Sequence, residues 1–248
     1  MFDGKIKTTE YASLVVTHEC NKSCPFCIDR YRGRREYITI PIVESSLKIA
    51  KEAGIKDILI VGGEPTLHPN IVKIAKTVKR FGFRVILTTN YSNPDAIRRL
   101  DGIVDCFNIS FYDQKDLPRQ SSFISDMTIA TLIYKSQLET KEKLDRFIDK
   151  YSGIAHLKFS TLSICNKFTK ENQAVGYLDE LKARKIVLFD EIEGLIYRDC
   201  IIKRYDRPIN PAAYQSIKIH VDGEISHSWD RNFMDDNYIK AVLSASPH

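Results

Sequence analysis

The chain has 248 residues, 43% hydrophobic and 28% charged, with six cysteines and a formal net charge of +5 at pH 7. That is the composition of a soluble globular protein able to bury a sizeable core. No apolar run approaches the ~20 residues that cross a bilayer, no long apolar stretch of a secretory signal follows Met1, and no nucleic-acid motif or long basic run is present, so the expectation is a cytoplasmic protein.

The pattern alternates short apolar runs with longer amphipathic ones, which predicts strand–helix units and a parallel sheet. A strand over 13–16 leads into a polar loop. Residues 42–53 have helical spacing in Val43, Leu47 and Ala50 and stop at Gly54. A β-rich run over 57–61 ends at Gly62 and Gly63, and a helix over 70–80 follows, with Asn70 able to cap it and Gly82 able to end it. A strand over 83–88, a short helix over 94–100 and a strand over 105–110 continue the rhythm.

Residues 111–126 break it: they are polar, carry Pro118 and read as a long loop or lid. Strands over 128–134 and 156–163 flank a helix over 141–151. Beyond about residue 185 the pattern changes to strands over 186–189, 217–221 and 224–228, with Asp222-Gly223 as a hairpin turn. The expectation is a core over 8–185 and a small antiparallel, β-rich extension over 186–248 packed on it.

The loop after the first strand holds Cys20, Cys24 and Cys27 at C-x3-C-x2-C spacing. Three thiolates are one short of a closed four-iron cluster and one short of a closed tetrahedral zinc site. A metal held there keeps an open position. A zinc site recruiting His18 as fourth ligand is one alternative, and unrelated core cysteines are another. A cluster of thiols in a reducing compartment reads as metal-binding or catalytic rather than as a disulfide framework.

Two motifs together carry a resemblance. Thr17-His18-Glu19-Cys20-Asn21, continued by Cys24-Pro25-Phe26-Cys27, is followed at the end of the second strand by Gly62-Gly63-Glu64-Pro65-Thr66-Leu67-His68-Pro69. Over about residues 10–165 the chain resembles the radical S-adenosylmethionine (radical SAM) superfamily. The wording is most similar to the branch of peptide-maturation enzymes and the molybdenum-cofactor cyclisation enzyme.

The resemblance implies an α/β fold, a partial (β/α)6 TIM-like barrel. It implies a [4Fe-4S] cluster on Cys20, Cys24 and Cys27 whose free iron is chelated by S-adenosylmethionine (SAM). Electron transfer would cleave SAM to methionine and a 5′-deoxyadenosyl radical, which abstracts a hydrogen atom from the substrate. By the same resemblance Gly62, Gly63, Glu64 and Pro65 form the edge that binds the methionine amino group, with Glu64 steadying it. Phe26 presents its backbone to the adenine, and Asn90 and Ser110 are candidates for the SAM carboxylate and ribose. In a parallel sheet ligands collect at the carboxyl ends of strands, so these residues are expected on one rim. One departure stands out: after Thr89-Asn90 related sequences often carry glycine, and this chain has Tyr91.

Of the remaining cysteines, Cys106 reads as core. Cys165 and Cys200 read as buried small residues, with one of them, Cys200 first, also a candidate hydrogen-atom donor. The hairpin resembles the turn that precedes auxiliary-cluster ligands, but Ser226-His227-Ser228 follows with no cysteine, so no auxiliary cluster is expected. Arg30, Arg32, Arg34 and Arg35 offer a basic stretch to an anionic substrate or to an acidic reductant such as flavodoxin or ferredoxin. The substrate expected first is a peptide or protein. A nucleoside or nucleotide comes second and activation of a glycyl-radical enzyme third, with a non-catalytic iron–sulfur or zinc protein as the outside alternative.

Overall fold

The structure, a computed structural model, describes residues 11–29, 31, 33–111, 117, 119–163, 166–187, 193–205 and 217–226. In chain order it runs β1 (Tyr11–Val15), α1 (Ile40–Glu52), β2 (Asp57–Val61), α2 (Ile71–Arg80), β3 (Arg84–Thr89) and α3 (Pro94–Leu100). It continues with β4 (Cys106–Phe111), β5 (Asp126–Ile133), α4 (Lys141–Tyr151), β6 (His156–Thr161) and α5 (Lys167–Glu171). The last strands are β7 (Arg184–Val187), β8 (Glu193–Tyr197), β9 (Cys200–Lys203), β10 (Ile217–Ile219) and β11 (Ile225–Ser226). These elements divide into two compact units, one from 1–22, 29–105 and 214–248, the other from 23–28 and 106–213.

In the first unit the strand order is β11-β10-β1-β2-β3. All neighbours are parallel except the β10–β11 hairpin. β2 shows how the sequence sets the faces: Ile58 and Ile60 are fully buried, while Asp57, Leu59 and Val61 are only half-buried. Period-2 alternation puts those two sets on opposite faces. α1 buries Val43, Leu47 and Ala50 at helical spacing. It ends as a Schellman motif, in which Gly54 N–H donates to Lys51 O (3.1 Å) and Ile55 N–H to Ala50 O (3.0 Å). Gly54 sits at φ +75°, the left-handed conformation that motif requires. α2 buries Ile71, Ile74, Ala75 and Val78, and each fully buried aliphatic side chain contributes roughly 2 kcal/mol.

In the second unit the order is β4-β5-β6-β9-β8-β7. β4, β5, β6 and β9 are parallel, and β9, β8 and β7 are antiparallel. Thr140 caps α4 through Lys143 N–H, and the helix buries Leu144, Phe147 and Ile148 into the core that also holds Ile129, Phe159 and Ile202. Phe147 packs edge-on to Phe111 (5.1 Å between ring centres) and Phe159 (5.7 Å).

β7 to β9 and β10–β11 are antiparallel, and each group also adds one strand in parallel to the sheet: β9 beside β6 and β10 beside β1. α5, β8 and β9 were not foreseen. β8 and β9 are joined through Arg198 (φ 49°) and Asp199 (φ 62°), a type I′ geometry built without glycine or asparagine. Of the expected lid over 111–126, residues 112–116 and 118 lie outside the described residues, and the remainder includes a 3₁₀ turn over Gln120–Ser122. Among the described residues no helix is long and apolar enough to cross a membrane.

Candidate active site

In the first unit the chain leaving β1 keeps running beside the end of β2. Val16 N–H donates to Val61 O (2.9 Å), Gly63 N–H to Thr17 O (2.8 Å) and Glu64 N–H to Glu19 O (2.7 Å). The approach is too close for any side chain. A Cβ on Gly62 would lie 2.3 Å from Thr17 O, and one on Gly63 would lie 2.2 Å from Glu19 O. The glycine pair is therefore required by contact with the segment that enters the cysteine loop, whatever ligand it also meets.

Glu64 is 1% exposed, and a carboxylate so buried needs a full set of donors. Its Oε1 accepts from Thr66 N–H (3.1 Å), Thr66 Oγ1 (2.6 Å) and Thr89 Oγ1 (2.7 Å), and its Oε2 accepts from Asn90 N–H (2.7 Å). Glu64 thus ties the end of β2 to the end of β3, and it also caps the 3₁₀ turn that Pro65 opens.

Asn90 is drawn into a second polar link. Its Nδ2 donates to Asn21 Oδ1 (3.0 Å), Asn21 Nδ2 donates to Ser92 Oγ (2.7 Å), and Ser92 N–H returns to Asn90 Oδ1 (2.9 Å). Asn21, next to Cys20, is thereby fastened to the end of β3. Tyr91 between them stands at φ 59°, the left-handed conformation that glycine adopts without cost.

His18 and Asp29, on either side of the cysteine loop in sequence, meet in this unit. His18 Nδ1–H donates to Asp29 Oδ2 (2.9 Å), with their side chains 2% and 4% exposed. Asp29 Oδ1 also accepts from Tyr31 N–H (2.8 Å). His68, in the second motif, accepts from Asn70 N–H at Nδ1 (3.0 Å) and so donates from Nε2 to Ile38 O (3.0 Å). Burial holds its pKa below the ordinary histidine value.

Cys20 falls in the first unit, while Cys24, Phe26 and Cys27 fall in the second. None of the three is in a disulfide, and all are half-buried. Lys22 N–H donates to Cys20 Sγ (3.4 Å), and a tight turn closes Cys27 N–H on Cys24 O (3.2 Å). The turn is anchored by α5: Asn166 forms a capping box with Thr169 and also donates from Nδ2 to Pro25 O (3.0 Å). The Phe26 ring packs between Tyr134 (5.6 Å) and Phe168 (6.5 Å). The sequence reading missed Asn21, Asp29, Ser92 and Asn166. Of these, Asn166 carried a legible signal in Asn166-x-x-Thr169.

Ser110 is the next-to-last residue of β4, half-buried and opposite Ala130 of β5. Cys106 opens β4 and is buried. Cys200 follows the tight turn, buried within the apolar core of its unit, and its Sγ donates to Arg198 O (3.5 Å). Burial raises its pKa and keeps the thiol protonated. Cys165, Arg30 and Arg32 lie outside the described residues. Arg34 stacks its guanidinium 4.7 Å over the Tyr31 ring, and Arg35 approaches Glu19 (3.4 Å) while 81% exposed.

The donor set fits an iron–sulfur cluster: three cysteines, none in a disulfide, within eight residues, on a loop fixed at its flanks.

Comparison with known proteins shows the family. Residues 14–113 match the family model described as the radical SAM superfamily. A probable GTP 3′,8-cyclase of Saccharolobus solfataricus is 32% identical over 278 residues, covering 98% of this chain and 89% of the relative. An S-adenosylmethionine-dependent nucleotide dehydratase of a Thermoplasmatales archaeon is 32% identical over 101 residues, 40% of this chain, which spans only 36% of that relative. Among solved structures, Streptococcus suis SuiB bound to its precursor peptide SuiA superposes with a TM-score of 0.59 at 16% identity, covering 96% of this chain and 64% of SuiB.

Proposed function

The chain belongs to the radical SAM superfamily and is an enzyme of that kind, and on this premise we propose that Cys20, Cys24 and Cys27 hold a [4Fe-4S] cluster and that SAM lies along the Gly62–Gly63 edge. When bound, these groups supply one-electron cleavage of SAM and a 5′-deoxyadenosyl radical that takes a hydrogen atom from the substrate. The observation that carries the reading is the edge itself, hydrogen-bonded through Thr17 O and Glu19 O to the segment that runs straight into Cys20.

The chain's own residues position and shield. Glu64 holds the edge against β3, acting through Thr66, Thr89 and the Asn90 backbone. Asn90 holds Asn21, and through it the start of the cysteine loop. Phe26 offers its backbone to the adenine and Ser110 its hydroxyl to the ribose. The electron comes from a flavodoxin or ferredoxin, with Arg34 and Arg35 as the basic surface that donor meets.

For the substrate we propose a nucleotide. Support comes from the relative matched over nearly its whole length, named a GTP cyclase, and from the net charge of +5, which suits phosphate. A peptide is the second reading, favoured by the wording of the cysteine motif. Anaerobic reconstitution should give about four irons per chain. Dithionite and SAM should then yield 5′-deoxyadenosine faster with GTP or another nucleoside triphosphate present. Zinc in place of iron, or a cluster that never cleaves SAM, overturns the cofactor assignment. Cleavage unmoved by all four ribonucleoside triphosphates overturns the nucleotide.

A further inference from the structure

We infer that His18 and Asp29 form a clasp that closes the cysteine loop and sets how firmly the cluster is retained; this rests on the assignment of Cys20, Cys24 and Cys27 as its ligands. The two residues stand just outside the loop, two positions before Cys20 and two after Cys27. Their bond is 2.9 Å and almost wholly buried. Low dielectric strengthens it, and the loss of either partner would leave the other buried without its counterpart.

The clasp is braced on both sides. Gly33 N–H donates to His18 O (2.7 Å), Tyr31 N–H donates to the second oxygen of Asp29, and the Tyr31 ring lies 5.3 Å from the His18 ring. Between the clasped ends, Asn21, Lys22 and Ser23 are exposed. Three ligands on a loop keep a shared geometry only when the ends of the loop are fixed, because an open loop must lose that entropy each time it binds. His18 and Asp29 are positioning residues: they act on the cluster through the loop.

Four variants test this: His18→Leu and Asp29→Ala, which break the bond, His18→Asn, whose amide keeps a donor near the Nδ1 position, and Asp29→Asn, which keeps one acceptor. Each is read in three ways: thermal unfolding followed by circular dichroism, trypsin cleavage after Lys22 in the apoprotein, and iron release to a chelator from the reconstituted protein. The breaking variants should fold yet be cut at Lys22 and lose iron about tenfold faster, as expected for one lost buried hydrogen bond, and His18→Asn should restore both rates. Folded breaking variants with wild-type cleavage and release overturn the clasp. Where one breaking variant fails to fold the other decides, since wild-type rates in either overturn the clasp, and Asp29→Asn, left with one acceptor for the two donors His18 Nδ1–H and Tyr31 N–H, should fall between wild type and the breaking variants. A wild-type chain that takes up no iron sinks the cluster assignment instead, and the cleavage rates still report whether the loop is clasped.

Discussion

Gly63 shows how one missing side chain positions a site. A Cβ placed on it would lie 2.2 Å from Glu19 O, so an added methyl group collides with main chain that cannot rotate away. Gly63→Ala is expected to lower stability by about 2 kcal/mol or more and to weaken cluster uptake, because the strand end and the loop entry must separate. Gly153→Ala is the control. A Cβ there meets nothing within 4 Å, and the melting temperature should stay level or rise slightly. Thermal melts of the two proteins side by side check both. Tyr91 carries the opposite case, a bulky residue at φ 59°, a conformation that glycine adopts without cost. That backbone conformation costs about 1 kcal/mol, and Glu64, Thr89 and Asn90 packed around it hold it in place.

α5 is only five residues long, yet it connects distant parts of the chain. Asn166 caps the helix through its Oδ1 and reaches Pro25, 141 residues away, through its Nδ2. Asn166→Ala should cost about 1 kcal/mol, a fall of roughly 2–4 °C in Tm, while Asn166→Asp keeps the capping acceptor and should recover most of it. Aspartate cannot donate to Pro25 O, so its iron loading should stay below wild type although its Tm recovers. The two measurements separate the cap from the anchor. Elements with strong periodicity and clear stop signals, such as β2, α3 and α4, were legible in the sequence to the residue. α5 and the β8–β9 hairpin were not. The helix is too short to show a period, and the turn at Arg198-Asp199 reaches positive φ without glycine or asparagine to announce it.

For the whole molecule, β10 places Lys218 in register with Ser13 of β1, and the lysine is 3% exposed. Burial brings its pKa down to about 8. In the unfolded chain it titrates near the ordinary lysine value of about 10.4. Between those values the unfolded state binds more protons than the folded one, so stability rises with pH from about 8 to about 10. Below that window the folded state holds an ammonium out of water at constant cost. Lys218→Met is expected to flatten the rise and to stabilise the protein at neutral pH by an amount on the order of 2–3 kcal/mol. Urea melts at pH 7, 8, 9 and 10 measure both effects, and a parallel slope in the variant would assign the rise to other groups.

The sequence by itself determined the superfamily and where its two motifs lie. Cys20, Cys24, Cys27 and the Gly62-Gly63-Glu64-Pro65 run are close in sequence, and covalent spacing alone confines each to one loop or one strand end. It also determined the repeated strand–helix plan, because burial of one face imposes a period that can be read locally. Only the tertiary structure decided what fixes those loops. The Glu64 tie to β3, the Asn90–Asn21 link, the Asn166 anchor on Pro25 and the parallel place of β10 beside β1 all join residues far apart in sequence. Such pairs leave no local period. A buried histidine or asparagine looks the same in the sequence whether it is a ligand, a cap or a clasp. His18 is the clearest instance: the sequence offered it as a metal ligand, and only the structure shows its Nδ1 bonded to Asp29 across the loop.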